Sequence, residues 1–190
     1  TVIVSTTNVS CFGTNDGSII ATATGIPPFQ YSLGGALSQT SGTFTGLTAG
    51  AYSVDVTDAN GCMIFQTVVI TEPPALNITA AVTNVSCFGM CDGSTSVSVA
   101  GGIPPYSYSW SNGQTTPTIT NLCAGAYAFT VFDANNCITQ STVTIMEPDS
   151  LNITAAVTNV SCNGMCDGSV FTMPSGGMPP YIYGWIGPSG

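Results

Sequence analysis

LNITAAVTNVSC occupies residues 76–87 and returns letter for letter at 151–162. Within it Leu76, Ile78, Ala80 and Val82 fall at every second position. That alternation marks a half-buried strand, because successive side chains leave opposite faces of the backbone. As a duplication, the stretch fixes a repeat of 75 residues, within which the fold has to be solved.

A looser copy, TVIVSTTNVSC, fills residues 1–11, so the chain divides into repeats at 1–75 and 76–150 and a shortened third at 151–190. Other landmarks recur in step: GIPPF at 25–29, GIPPY at 102–106 and GMPPY at 177–181; LTAGAY at 47–52 and LCAGAY at 122–127; TDANGC at 57–62 and FDANNC at 132–137. The joints read TEPPAL (71–76) and MEPDSL (146–151), where Pro and a lone Glu punctuate two alternating runs.

Each repeat reads as short strands and turns, with no helical stripe. In the second repeat, strand A begins at Leu76, strand B carries Val97 and Val99, strand C is YSYSW (106–110), strand E is TPTIT (116–120), strand F is AYAFTVF (126–132) and strand G carries Val143 and Ile145. Six or seven strands in 75 residues imply a two-sheet sandwich, so the expected fold is all-β: tandem immunoglobulin-like β-sandwich repeats. Tyr52 and Tyr127 stand where a tyrosine corner would enter strand F. Asp58 and Asp133 open a short F–G turn. In the third repeat VFTMPSGG puts Phe171 and Met173 one place out of phase with Val97 and Val99 and adds Pro174, which predicts a bulge or an edge position.

Composition excludes much chemistry. The 190 residues hold nine carboxylates and no Lys, Arg or His, for a formal charge of -9. Serine–histidine and cysteine–histidine nucleophiles, imidazole zinc ligands, Schiff bases and phosphate clamps all lack their residues. Nucleic acid is not an expected partner, since binding it rests on cationic side chains, and an anionic membrane surface would repel the chain. The chain is 44% hydrophobic, but Ser, Thr or Gly interrupts each apolar run well short of the ~18 residues that suggest a span, so no membrane insertion is expected. An opening in mid-strand and a close at GPSG read as a window on a longer polypeptide.

The cysteines carry the strongest pattern. Repeat 1 holds Cys11 and Cys62, which must pair if that repeat is oxidised internally. Repeat 2 holds the counterparts Cys87 and Cys137, and adds Cys91 and Cys123 where repeat 1 has Asn15 and Thr48. Of the three connectivities open to four cysteines, this joint appearance selects Cys87–Cys137 and Cys91–Cys123. A count of extended residues and bridge spans allows both bonds at once. Cys162 and Cys166 are expected to pair outside the chain. Such bonds require an oxidising compartment, and they stabilise a domain too small to rely on its core alone. A zinc site fits poorly, because the spacing is wrong and repeat 1 lacks the extra pair.

Tyr106, Tyr108 and Trp110, like Tyr181, Tyr183 and Trp185, share one face of strand C. They read as core before they read as a sugar platform, because Phe29, Tyr31 and Leu33 keep the bulk in repeat 1 but not the platform. Asp16, Asp92, Asp167, Asp58 and Asp133 could each lend an oxygen to Ca²⁺, but one carboxylate per loop falls short of the six to eight oxygens calcium takes, and turn chemistry explains them. No cofactor is expected, and no acid/base or nucleophile constellation points to an enzyme. Asn8, Asn77, Asn84, Asn152 and Asn159 form N-x-Ser/Thr sequons that read as strand composition.

Taken together, V-S-C-x-G-x-x-D-G-S, G-x-P-P-Y-x-Y-x-W, L-x-A-G-x-Y-x-x-x-V-x-D-A-N-x-C and the closing E-P resemble the SprB-type repeat of Bacteroidota cell-surface proteins, named for a gliding-motility adhesin. Departures are the extra cysteine pair, Leu33 in place of Trp and the altered third strand B. The resemblance implies export by the type IX secretion system, display on the outer surface in a long filamentous protein and a role in adhesion or gliding, with no catalytic residues. Expected partners are neighbouring repeats of the same chain and other surface or filament proteins. A glycan- or Ca²⁺-binding module on the cell surface is the alternative.

Overall fold

The computed structural model describes residues 1–187. Repeat 1 contributes β1 (Val2–Thr7), β2 (Gly17–Ala23), β3 (Gln30–Leu33), β4 (Thr43–Leu47), β5 (Gly50–Thr57) and β6 (Met63–Ile70). Repeat 2 contributes β7 (Asn77–Thr83), β8 (Gly93–Ala100), β9 (Ser107–Trp110), β10 (Thr118–Leu122), β11 (Gly125–Phe132) and β12 (Ile138–Ile145). Repeat 3 contributes β13 (Asn152–Thr158) and β14 (Ser169–Ser175).

Both complete repeats build the same pair of antiparallel sheets. In repeat 1 the orders are β1-β2-β4 and β3-β5-β6, and in repeat 2 they are β10-β8-β7 and β12-β11-β9. Lettered along the chain, A, B and E form one sheet and C, F and G the other, which is the partition of an immunoglobulin-like sandwich without its D strand. A–B and F–G are hairpins within a sheet, and the crossovers from B to C, from C to E and from E to F carry the chain between sheets. The Pro27–Pro28, Pro104–Pro105 and Pro179–Pro180 bonds are cis at the same place in each repeat.

Compactness divides the chain differently from its sequence period. One unit comprises Thr1–Thr79 with Ser98–Tyr108 and Thr130–Gln140; the other comprises Ala80–Val97, Ser109–Phe129 and the residues from Ser141 onward. In the first unit, alternate residues of facing strands close a core of Val9, Ile19, Ala21, Tyr31, Val54, Val56 and Ile70. Ser18, Ile20 and Thr22, which lie between the inward residues of β2, face outward, as a period of two requires.

In the second unit Val85, Thr95, Val97, Trp110, Ile119, Leu122, Phe129, Val143 and Ile145 are buried. Trp110 stacks on Phe129 with ring centroids 4.4 Å apart, and its indole N–H donates to Thr116 O at 3.0 Å. The one buried hydroxyl of this group, Thr95 Oγ1, donates to Ala81 O at 2.9 Å, so it is not left unpaired in the interior.

Strand A does not alternate in burial along its length: Ile78 is half-buried but Ala80 and Val82 are exposed, because the strand lies at the edge of its sheet. Of the bulge or edge position expected for strand B of repeat 3, the structure has the edge position. β13 and β14 pair without a register shift from Asn152↔Ser175 to Thr158↔Ser169. Thr172 and Pro174 take the inner positions that Val97 and Val99 hold in repeat 2, leaving Phe171 and Met173 exposed. β14 is an edge strand, where a residue without an N–H is tolerated.

Candidate functional site

The features that recur with the repeat converge on its joint. In the A–B turn of repeat 1, Asn8 Oδ1 accepts the Thr71 N–H at 2.9 Å, and Val9 N–H donates to Thr71 O at 3.2 Å. Gly13, at φ 72, turns the chain in the left-handed region that glycine adopts without strain. Its N–H donates to Glu72 Oε2 at 2.8 Å, so the Glu of the joint clamps the turn at the domain's other end of sequence.

The arrangement repeats in the second unit. Asn84 Oδ1 accepts from Met146 N–H at 3.0 Å, Val85 N–H donates to Met146 O at 3.1 Å, and Gly89 N–H donates to Glu147 Oε2 at 2.9 Å. Sequence alone does not disclose this lock, since the Asn residues read as strand composition and the Glu residues as punctuation. The signal was their recurrence beside both joints.

Asp16, Asp92 and Asp167 serve their own turns. Asp16 Oδ1 accepts from Ser10 N–H at 3.0 Å and from Thr14 Oγ1 at 2.8 Å. Asp92 and Asp167 accept from Ser86 and Ser161 N–H at 2.9 and 3.0 Å. Hydrogen bonds from Ser10, then from Thr14, hold the Asp16 carboxyl down at about 2 from an ordinary 3.8. Asp92 and Asp167 are lowered likewise by Ser86 and Ser161.

The F–G turns use the other two carboxylates. Asp58 Oδ1 accepts from Asn60 and Cys62 N–H, both at 2.9 Å. Asp133, buried, accepts from Asn135 and Cys137 N–H on Oδ1 at 2.8 and 2.9 Å, and from Ile103 N–H on Oδ2 at 2.9 Å. Among the described residues, no three His, Cys, Asp or Glu side chains are grouped as a metal ion would need.

Tyr52 Oη donates to Thr48 O at 2.9 Å, and Tyr127 Oη donates to Cys123 O at 3.1 Å, each four residues upstream. The strand-C aromatics of repeat 2 point inward: Trp110 is buried, and Tyr106 Oη donates to Gly101 O at 2.6 Å. In repeat 3 Tyr181 Oη reaches Gly176 O at the same 2.6 Å, whereas Tyr183 and Trp185 are exposed.

The cysteines part from expectation. Cys91 is bonded to Cys123 with Cα atoms 3.8 Å apart. Cys11, however, is bonded to Cys137, 126 residues away and in the next repeat, with Cα atoms 5.6 Å apart. The expected Cys11–Cys62 and Cys87–Cys137 pairs do not form, and Cys62, Cys87, Cys162 and Cys166 are exposed thiols.

Strand length is the physical reason. Eight residues of β11 separate the turn that holds Cys123 from the turn that holds Cys137, about 26 Å at the usual rise. The span from Cys87 to Cys91 is not extended either, because Met90 N–H donates back to Cys87 O at 3.1 Å. Tethered near Cys123 through Cys91, Cys87 cannot cross that distance.

Cys11 reaches Cys137 because the linker brings the two turns together. Pro74 O accepts Gly102 N–H at 2.8 Å, and a Cβ on Gly101 would lie 1.9 Å from Ala75 O. Asn135 Nδ2 donates to Ser10 O at 2.8 Å, next to the bond itself. The bridge borders an open cleft of about 420 Å³ lined by Phe12, Pro74, Leu76, Asp133 and Ile138. Asp133 accepts three backbone N–H bonds there, and the cleft borders the covalent joint.

The profile of the SprB repeat matches residues 3–36, 79–115 and 154–190. Each match begins in or just before strand A and, in the complete repeats, ends shortly after strand C, so it covers one half of a sandwich whose E, F and G strands follow. Among curated proteins none matches the chain. Among solved structures, a similar one is that of the amphioxus IgVJ-C2 molecule, at 14% identity over 76% of this chain and 95% of that one, with a TM-score of 0.31. SprB repeats occur in cell-surface, adhesin-type proteins and are not an enzyme family. Matched three times in step with its own period and over more than half its residues, the chain belongs to the SprB repeat family.

Proposed function

We propose that this chain is a tension-bearing stalk segment of a cell-surface adhesin, a run of tandem sandwiches that spaces an adhesive element from the cell in surface attachment or gliding. Export by the type IX route and display outside the cell belong to the same reading. One observation carries it: the Cys11–Cys137 bond crosses from one repeat to the next. Both cysteines belong to one compact unit but come from successive sequence repeats, so the bond removes the 126-residue stretch between them from the path of force.

The two bonds are nested, since Cys91 and Cys123 lie inside the loop that Cys11 and Cys137 close. Pulling on the chain ends therefore loads the outer bond and spares everything between. Single-molecule extension tests this. Reduction is expected to lengthen the fully extended chain by about 440 Å, the 126-residue separation at about 3.5 Å each. An extended length unchanged by reductant would overturn the stalk reading. Neighbouring repeats are the first partners; the adhesive target lies with whatever the stalk displays.

A further inference from the structure

We propose that Cys11–Cys137 is one rung of a ladder, in which each A–B turn cysteine is bonded to the F–G turn cysteine of the repeat that follows. In an array that continues, Cys87 takes its partner from the F–G turn of the third repeat and Cys162 from that of a fourth. Cys62 takes its partner from the A–B turn of a repeat before the first. The exposed thiols of Cys62, Cys87 and Cys162 are then half-rungs whose partners stand in neighbouring repeats.

Three observations carry this beyond the single bond. The A–B cysteine occurs in every repeat, as Cys11, Cys87 and Cys162, and the F–G cysteine in both complete ones, as Cys62 and Cys137. The frame that holds Cys11 is rebuilt around Cys87: Gly13 on Glu72 and Asn8 under Thr71 in the first, Gly89 on Glu147 and Asn84 under Met146 in the second.

The linker contact also recurs at the next joint. Gly102 N–H meets Pro74 O and Gly177 N–H meets Asp149 O, both at 2.8 Å. A Cβ on Gly101 would lie 1.9 Å from Ala75 O, and one on Gly176 would lie 2.1 Å from Ser150 O. Equal joints carrying equal cysteines predict equal bonds.

Each rung forms when two thiols give up two protons and two electrons to a disulfide oxidant of the thiol–disulfide oxidoreductase class, whose own disulfide becomes a dithiol. The ladder rests on the tandem-array reading but not on any mechanical role.

The test extends the chain by one repeat, inserting a second copy of residues 76–150 after residue 150, with the inserted A–B cysteine replaced by Ser. The protein is oxidised with glutathione, treated with maleimide and digested for mass spectrometry. Cys87 is expected to lose its maleimide label and to appear cross-linked to the inserted F–G cysteine. Labelled Cys87 in a folded extended chain would overturn the ladder, even with Cys11–Cys137 intact and the stalk reading untouched. The unextended chain carrying Cys137→Ser gives a second decision that needs no insertion. Cys11 and Cys62 are both expected to take label, and a Cys11–Cys62 peptide would count against the ladder, because it would show that turn cysteines pair within a repeat.

Discussion

Asp16 is exposed, yet its two turn hydrogen bonds make it a measurable part of stability. Its folded-state pKa of about 2 lies below the ordinary 3.8, so its stabilisation is present above about pH 4 and is lost as pH falls through about 2. Asp16→Asn is expected to lower the melting temperature at neutral pH, with the gap to the parent chain closing between about pH 4 and 2. A gap that stays constant down that range would show that the carboxylate has no preferential folded-state partner. At the same scale, Asp16, Asp92 and Asp167 were legible as turn residues, because an Asp before Gly has few other uses in a hairpin. The Asn8–Thr71 and Gly13–Glu72 bonds were not legible, because they join residues 63 and 59 positions apart that no local rule connects.

Strands were the easiest elements to see. The alternation at Val97 and Val99 and at Val143 and Ile145 reports a two-sided surface, and the structure buries Val97, Val143 and Ile145. Trp110 anchors the C strand of repeat 2 against Phe129. Trp110→Ala is expected to cost about 3–5 kcal/mol in chemical denaturation, by lost contact and the cavity left behind; a loss under about 1 kcal/mol would mean that the ring is not packed.

Gly101 tests the joint as an element. At φ 75 and with Ala75 O in the way of any Cβ, Gly101→Ala is expected to destabilise the protein by more than the ~1 kcal/mol of a plain backbone effect. An unchanged denaturation midpoint would mean that the linker does not pack against this turn. The third strand B shows what pattern reading leaves open: Phe171 and Met173 out of phase fit a bulge or an edge alike, and the unshifted register leaves both exposed with Thr172 and Pro174 half-buried.

For the whole molecule, the repeat count, the all-β class and the family were legible because each rests on several motifs in step. The cysteine connectivity was legible only in part. Cys91 and Cys123 appear together in repeat 2 where repeat 1 has Asn15 and Thr48, which ties them to each other. The A–B and F–G cysteines occur in both complete repeats, so their pattern is the same whether they pair within a repeat or across the joint; only the eight-residue length of β11 decides.

The consequence is large. In the chain-entropy account the 126-residue loop is worth about 5 kcal/mol and the 32-residue loop about 4. With no Lys or Arg the chain also has no tryptic site, so trypsin is expected to leave it whole even when reduced and unfolded; internal tryptic fragments would contradict the sequence itself. Peptide mapping of the unreduced chain after chymotrypsin asks the central question most directly: a Cys11 peptide joined to a Cys137 peptide is the result expected, and Cys11 joined to Cys62, or left as a free thiol, would contradict the covalent joint.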